Sequence, residues 1–338
     1  MPLLVLTRRS KVWELFGFMG IVLVFAACVP NNPGRWEIVQ ASDWPHAAGV
    51  GPIVFTNKSN GWALTWNRLS KVREEGKAWD PILTNESDQR AFYSFTFISP
   101  TNAVVVGSQQ KEEGYTVLIL QTENGGENWY ERLSDIAPVH DRDNRPALQS
   151  VAFCGPKDGW TVGGNLILHT RDGGLTWTSQ HADIEGENMF TVACSSDQRA
   201  WVAGTGGTVF TTRDSGNTWE RQEIATKDTI MQVRFFGKSG WIVGGEASKP
   251  ALFRTLDEGE TWQPQIINEP TMLFDIYFIR NLGWIAAENG TVFASQDGGQ
   301  TWSANRTPTK ENLTSIFFLD PDEGWASGDR KTLLRFSK

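Results

Sequence analysis

The chain has 338 residues, a formal net charge of −8, three cysteines, four histidines and 16 tryptophans. An acidic chain without a basic run excludes a duplex-binding role, because nucleic-acid affinity rests on clustered Lys and Arg neutralising phosphates. No Cys-x-x-Cys is present and His46, His140, His169 and His181 lack metal-pair spacing, so no metal and no cofactor are expected.

Arg8, Arg9 and Lys11 precede an apolar stretch, Leu15–Ala27. This reads as a secretory signal, too short for a comfortable membrane span. It ends in Phe25-Ala26-Ala27-Cys28, which resembles the bacterial lipoprotein cleavage box, with Phe where Leu is usual. Residues 1–27 are therefore expected to be a signal, Cys28 the lipidation site and residues 28–34 a tether. Removing residues 1–27 takes away Arg8, Arg9, Lys11 and Glu14 and moves the net charge from −8 to −10. The expected place is extracytoplasmic and lipid-anchored, in a periplasm, a thylakoid lumen or on a cell surface. Six extended residues, Val29–Gly34, reach about 20 Å at most.

The next element, Arg35-Trp36-Glu37-Ile38-Val39, looks like the fourth strand of a unit that lacks its first three. Two marks then recur in phase. Gly-Trp falls at Trp62, Trp160, Trp241, Trp284 and Trp325, with Ala200-Trp201 as a variant and Val104 in the remaining slot. A turn followed by Trp ends at Trp79, Trp129, Trp177, Trp219, Trp262 and Trp302, and Trp36 completes that set. The clearest turns are T-R-D-G-G-L-T-W (Thr170–Trp177), T-R-D-S-G-N-T-W (Thr212–Trp219), T-L-D-E-G-E-T-W (Thr255–Trp262) and S-Q-D-G-G-Q-T-W (Ser295–Trp302). A period of about 40 residues indicates a repeat architecture. One unit reads as four short strands, Leu148–Phe153, Gly159–Gly163, Leu166–Thr170 and Thr176–Gln180, each bounded by turn residues. Four strands per unit and seven slots predict an all-β, seven-bladed β-propeller over residues 35–338. The last unit stops after its third strand, so the N-terminal strand is expected to complete it and close the ring.

In the turns, Asp172, Asp214, Asp257 and Asp297 are expected to accept backbone N–H bonds two residues on, with Gly supplying positive φ. One carboxylate per turn is far short of a calcium site. Cys154 and Cys194 stand at matching places in adjacent blades, which suits either a bridge or two packed thiols.

Two places break the repeat. Blade 2 takes 25 residues from Val104 to Trp129, where most take 17 or 18; the surplus is about Gln109–Tyr115 in the loop between second and third strands. The connection from Trp129 to Trp160 takes 31 residues, against 22 to 24 between later blades, with its surplus near Asp135–Arg145. Both loops emerge opposite the Asp turns. Insertions on a rigid scaffold often carry function. The expected partner contacts are Lys111, Tyr115, His140, Asp141, Arg142, Asp143 and Arg145, the arginines pairing acidic groups. No nucleophile elbow or phosphate loop appears, and no catalytic residue is expected.

The S/T-x-D-x-G-x-T-W boxes resemble those of the BNR/Asp-box propellers. With the phased F-x-x-x-x-x-G-W pattern, the Cys28 box and the length, the chain from Trp36 onward resembles the photosystem II stability and assembly factors. That resemblance implies a non-catalytic, monomeric protein that binds a membrane protein or complex subunit from a lipid anchor. The family's arginine-rich connection between later blades corresponds here to Arg221–Met231, with one Arg and one Lys. The other reading is a carbohydrate-active propeller, a sialidase-like glycosidase or a glycan-binding module. Several Arg with paired carboxylates at the central face would favour sugar; a mixed or apolar patch would favour protein.

Overall fold

In the computed structural model, residues 34–40, 49–65, 67–85, 89–112, 114–132, 146–184, 186–246 and 249–338 are described. The signal, Cys28, most of the tether and His140, Asp141, Arg142, Asp143 and Arg145 lie outside them. The strands form seven four-stranded antiparallel sheets in the order of the chain. Blade 3, for example, runs through Ser150–Phe153, Gly159–Gly163, Leu166–Thr170 and Thr178–Ser179. Blade 7 contains Leu313–Asp320, Glu323–Gly328 and Thr332–Ser337, and its outer strand is Arg35–Ile38, with Trp36 opposite Phe336. The ring is closed as the motif count requires. The innermost strands pack against one another in sequence, including Val50–Asn57 of blade 1 against Leu313–Asp320 of blade 7.

The phasing of the two tryptophan marks has a packing cause. Seven hydrophobic clusters occur among the described residues, one at each seam between neighbouring blades. Six of them hold the Gly-Trp tryptophan of one blade and the turn tryptophan of the next: Trp201 with Trp262, Trp241 with Trp302, Trp284 with Trp36, Trp325 with Trp79, Trp62 with Trp129 and Trp160 with Trp219. At the seventh, Val104 meets Trp177, and buried Gln121 beside Val104 donates a 2.7 Å bond to the Gly173 carbonyl in the next blade's turn. At four seams a phenylalanine from the next inner strand stacks on the Gly-Trp ring: Trp201–Phe235, Trp241–Phe278, Trp284–Phe318 and Trp325–Phe55, with centroids 3.6 to 4.7 Å apart. Each buried aromatic of this size contributes about 3–5 kcal/mol against its loss to Ala.

One seam replaces the phenylalanine. Between blades 3 and 4 its place opposite Ala200 is taken by Cys194, which is bridged to Cys154 with Cα atoms 5.9 Å apart. Trp160 stacks on His169 of its own blade instead, at 4.5 Å.

The turns differ in detail from the sequence expectation. The leading hydroxyl is the hub: Thr170 Oγ1 donates to Asp172 Oδ1 at 2.8 Å and accepts the Gly174 N–H at 2.9 Å. Asp172 accepts the N–H four residues on, from Thr176, at 3.0 Å, and the Thr176 hydroxyl at 2.6 Å. Asp214, Asp257 and Asp297 repeat both bonds. The expected acceptance two residues on is not what forms, because the carboxylate reaches across the turn to the returning strand. Hydrogen bonds from the Thr255 hydroxyl and from Thr261 lower the Asp257 pKa to about 2. The glycine is demanded twice over at Gly299: φ is +79°, and a Cβ there would lie 2.2 Å from the Trp241 ring of the preceding blade. The Asn124 copy in blade 2 keeps the backbone bond, to Asn128, at 3.0 Å.

Blade 1 has no aspartate in its turn, and Glu74 and Glu75 adopt φ of 53° and 60°. Charge takes over at this closing seam. Arg335 of blade 7 binds both Glu75 and the buried Glu323, and Lys58 lies 3.2 Å from Glu323.

Candidate functional site

Antiparallel order puts the Asp turns and the turns after each innermost strand on one face. The other face carries the turns between second and third strands and the connections between blades. Two features mark that second face.

The first is the blade 2 hairpin. Ala103–Lys111 pairs with Gly114–Thr122, nine residues each, where blade 3 uses five. The surplus Gln109–Tyr115 therefore continues the strands rather than forming a loop, with Gln109 opposite Thr116 and Gln110 opposite Tyr115. Backbone groups in an extended hairpin satisfy each other, which an unstructured loop leaves undone. Lys111 Nζ is 2.8 Å from Glu131, which also meets Arg90 at 3.3 Å. Glu131 ends the outer strand Tyr130–Glu131, and Arg132 next to it donates to Gln121 at 2.7 Å. The end of the hairpin is thus fixed beside the root of the long connection. Of the expected contacts, Lys111 and Tyr115 lie here; the five residues between His140 and Arg145 are among those not described.

The second is the central channel, a cavity of about 420 Å³. Among its described lining residues the only charged ones are Arg234 and Asp275, and they pair with each other at 3.1 Å. Asp275 is buried and accepts the N–H groups of Ile276 at 2.8 Å and of Ile316, in blade 7, at 3.0 Å. Ser150 and Thr191 occupy the same place in blades 3 and 4 and accept the N–H of Val192 and Val233 in the next blade. Asp275 is therefore an inter-blade fastening, and Arg234 is its counter-charge. Burial raises the Asp275 pKa, and the Arg234 charge opposes that rise. Sequence reading missed this pair, although a lone Asp in the apolar run Leu273–Ile279 was the available signal. No group of three His, Cys, Asp or Glu able to hold a metal occurs among the described residues.

Fold and turns together define a seven-bladed BNR β-propeller whose channel carries one neutralised charge pair. The sequence profile of the family described as Photosynthesis system II assembly factor YCF48 matches residues 109–185, 176–283 and 264–337, and the chain belongs to that family. The photosystem II stability/assembly factor HCF136 of Oryza sativa subsp. japonica is 28% identical over 189 residues, covering 54% of this chain and 40% of the rice protein. The chain thus spans well under two thirds of that relative. The photosystem II assembly lipoprotein Ycf48 of Trichormus variabilis is 26% identical over 342 residues, covering 96% of this chain and 95% of that protein. A solved structure of YCF48 bound to D1 peptide matches with a TM-score of 0.68 at 23% identity, over 90% of this chain and 97% of that one, a likeness of fold.

Proposed function

We propose that this protein is a non-catalytic assembly factor that binds a segment of a membrane protein subunit, held outside the cytoplasm by a lipid on Cys28. Family membership supports the assembly role. The observation that carries the binding reading is the channel: among the described residues, one carboxylate, already neutralised by one arginine, offers neither the two carboxylates that glycoside hydrolysis uses nor an arginine cluster for acidic sugars. That favours a protein ligand over a carbohydrate. The partner surface is assigned to the face opposite the Asp turns, at Lys111 and Tyr115 with His140, Asp141, Arg142, Asp143 and Arg145. Signal 1–27 and tether 28–34 complete the reading, with the propeller acting as a monomer. Since a relative binds D1 peptide, that peptide is the probe. Calorimetric titration of residues 28–338 should show saturable binding; no binding at any accessible concentration would overturn the peptide reading. Cys28→Ala should abolish incorporation of a clickable fatty acid, and persistent labelling would reject Cys28 as the anchor.

A further inference from the structure

The innermost strands share a feature that the repeat does not need for packing. Near its start, on the face opposite the Asp turns, each of six innermost strands slips register by one extra residue. In four of the six the neighbouring strand carries glycine at the slip, Gly107, Gly204, Gly244 and Gly328; a Cβ on Gly107 would lie 1.8 Å from the Ala91 carbonyl oxygen. Such bulges re-aim a side chain, here out of the ladder and into the channel mouth. The re-aimed residues include Pro52, Tyr93, Phe190, Phe274 and Thr314, and Gln149 holds the equivalent place in blade 3. All six are half-exposed and none is charged. A second cavity of about 240 Å³ shares Pro52, Tyr93 and Thr314 with the channel and reaches Leu64 and Phe92. It runs toward blade 2, where Phe92 pairs with Gly107 at the base of the long hairpin.

We infer that this channel mouth is a seat for an uncharged, extended polypeptide segment with one bulky apolar side chain inserted between Phe190, Phe274 and Tyr93, and its flank lying over the second cavity toward Lys111. Charge matching selects the anchor: among the described residues the only ionised groups lining the channel, Arg234 and Asp275, cancel, so a charged group entering it would lose hydration without gaining a counter-ion, while Asp329, which accepts from the Asn312 amide, borders only the second cavity under the flank. The size suits it as well, since a cavity of this volume takes a few side chains and not a folded element. Gln149 and Tyr93 line the channel, where an amide and a hydroxyl can pair with the segment's backbone. The inference rests on the peptide-binding reading above and locates its anchor.

The test is the same peptide titration on three full-length mature proteins: wild type, Phe190→Ala/Phe274→Ala and Thr314→Lys, each checked for an intact fold by near-ultraviolet circular dichroism. Loss of two central aromatic anchors should weaken binding at least about tenfold, and a charge at the mouth should do the same without removing an aromatic, at the cost of the Thr314 hydroxyl's bond to the Val50 carbonyl. Wild-type binding with unchanged affinity in Thr314→Lys and in the folded double variant overturns the channel seat alone. Failure of wild type to bind overturns the peptide reading and the seat together. If the double variant fails to fold, Thr314→Lys, at a half-exposed position, decides.

Discussion

The two faces of the ring treat their polar groups differently. On the Asp-turn face almost every repeated group is consumed by its own turn or the next blade: Thr170, Asp172 and Thr176 bind one another, and Arg199 and Arg213 share Glu260 across blades 4 and 5. On the opposite face the repeat is broken by a long hairpin, and the channel mouth presents half-exposed, uncharged residues instead of partners. A group already satisfied inside the fold has nothing left for a ligand. The most repeated chemistry in this chain is thus its least available, and binding is sought where the repeat fails.

The largest effect should come from breaking ring closure. Deleting residues 28–41 removes Trp36 from the seam it shares with Trp284 and exposes the edge of Thr332–Ser337. A loss of about 3–5 kcal/mol from the aromatic alone, plus an open strand edge, should drop the melting temperature sharply or cause aggregation. An unchanged melting curve would contradict the closure.

That closure was legible in the chain because tryptophan spacing records seam packing, and each seam needs one residue from each of two blades. Asp-box positions, strand order and the count of seven followed from the same rule. Contacts between different blades without a repeated residue type were not legible. Arg234 and Asp275 are one blade apart, 41 residues, but nothing in neighbouring blades announces a charge pair there. Cys154 and Cys194, 40 residues apart, fitted both a bridge and two packed thiols, since either fills the same small volume. The blade 2 surplus was found by counting, yet its pairing as strands depended on where the turn fell.

Next in size is the one seam that uses sulfur in place of the aromatic stack. Cys154→Ala/Cys194→Ala should cost about 2–4 kcal/mol, as for a bridge closing a loop of this length. The same cost from reduction with dithiothreitol would sharpen the comparison with the Phe seams. A melting temperature indifferent to both treatments would mean that the bridge adds nothing beyond packing.

A smaller effect is expected on acidification. His169 is buried against Trp160, and burial first, then the Arg171 charge, lowers its pKa to about 4. A depressed histidine pKa means that the unfolded chain takes up the proton first. Stability is therefore full above about pH 6.5 and is lost as pH falls from there toward 4. The turn aspartates, held below their usual range by hydrogen bonds such as those from Thr255 and Thr261 to Asp257, give up their contribution only below about pH 4. His169→Phe should flatten the upper part of the melting-temperature profile and leave the lower part; an unaltered profile between pH 6.5 and 4 would reject the assignment.

The central claim is the division between a self-satisfied face and a binding face, and one side-by-side measurement tests it. Peptide affinity is compared in Asp172→Ala and in a variant with Gln109–Tyr115 and Asp135–Arg145 trimmed to the length of the other blades. Asp172→Ala should lose about 1–2 kcal/mol of stability, from donors left unpaired, and keep wild-type affinity while folded. The trimmed variant should keep its melting temperature and lose affinity at least about tenfold. Wild-type affinity in the trimmed protein, or lost affinity in folded Asp172→Ala, would contradict the account.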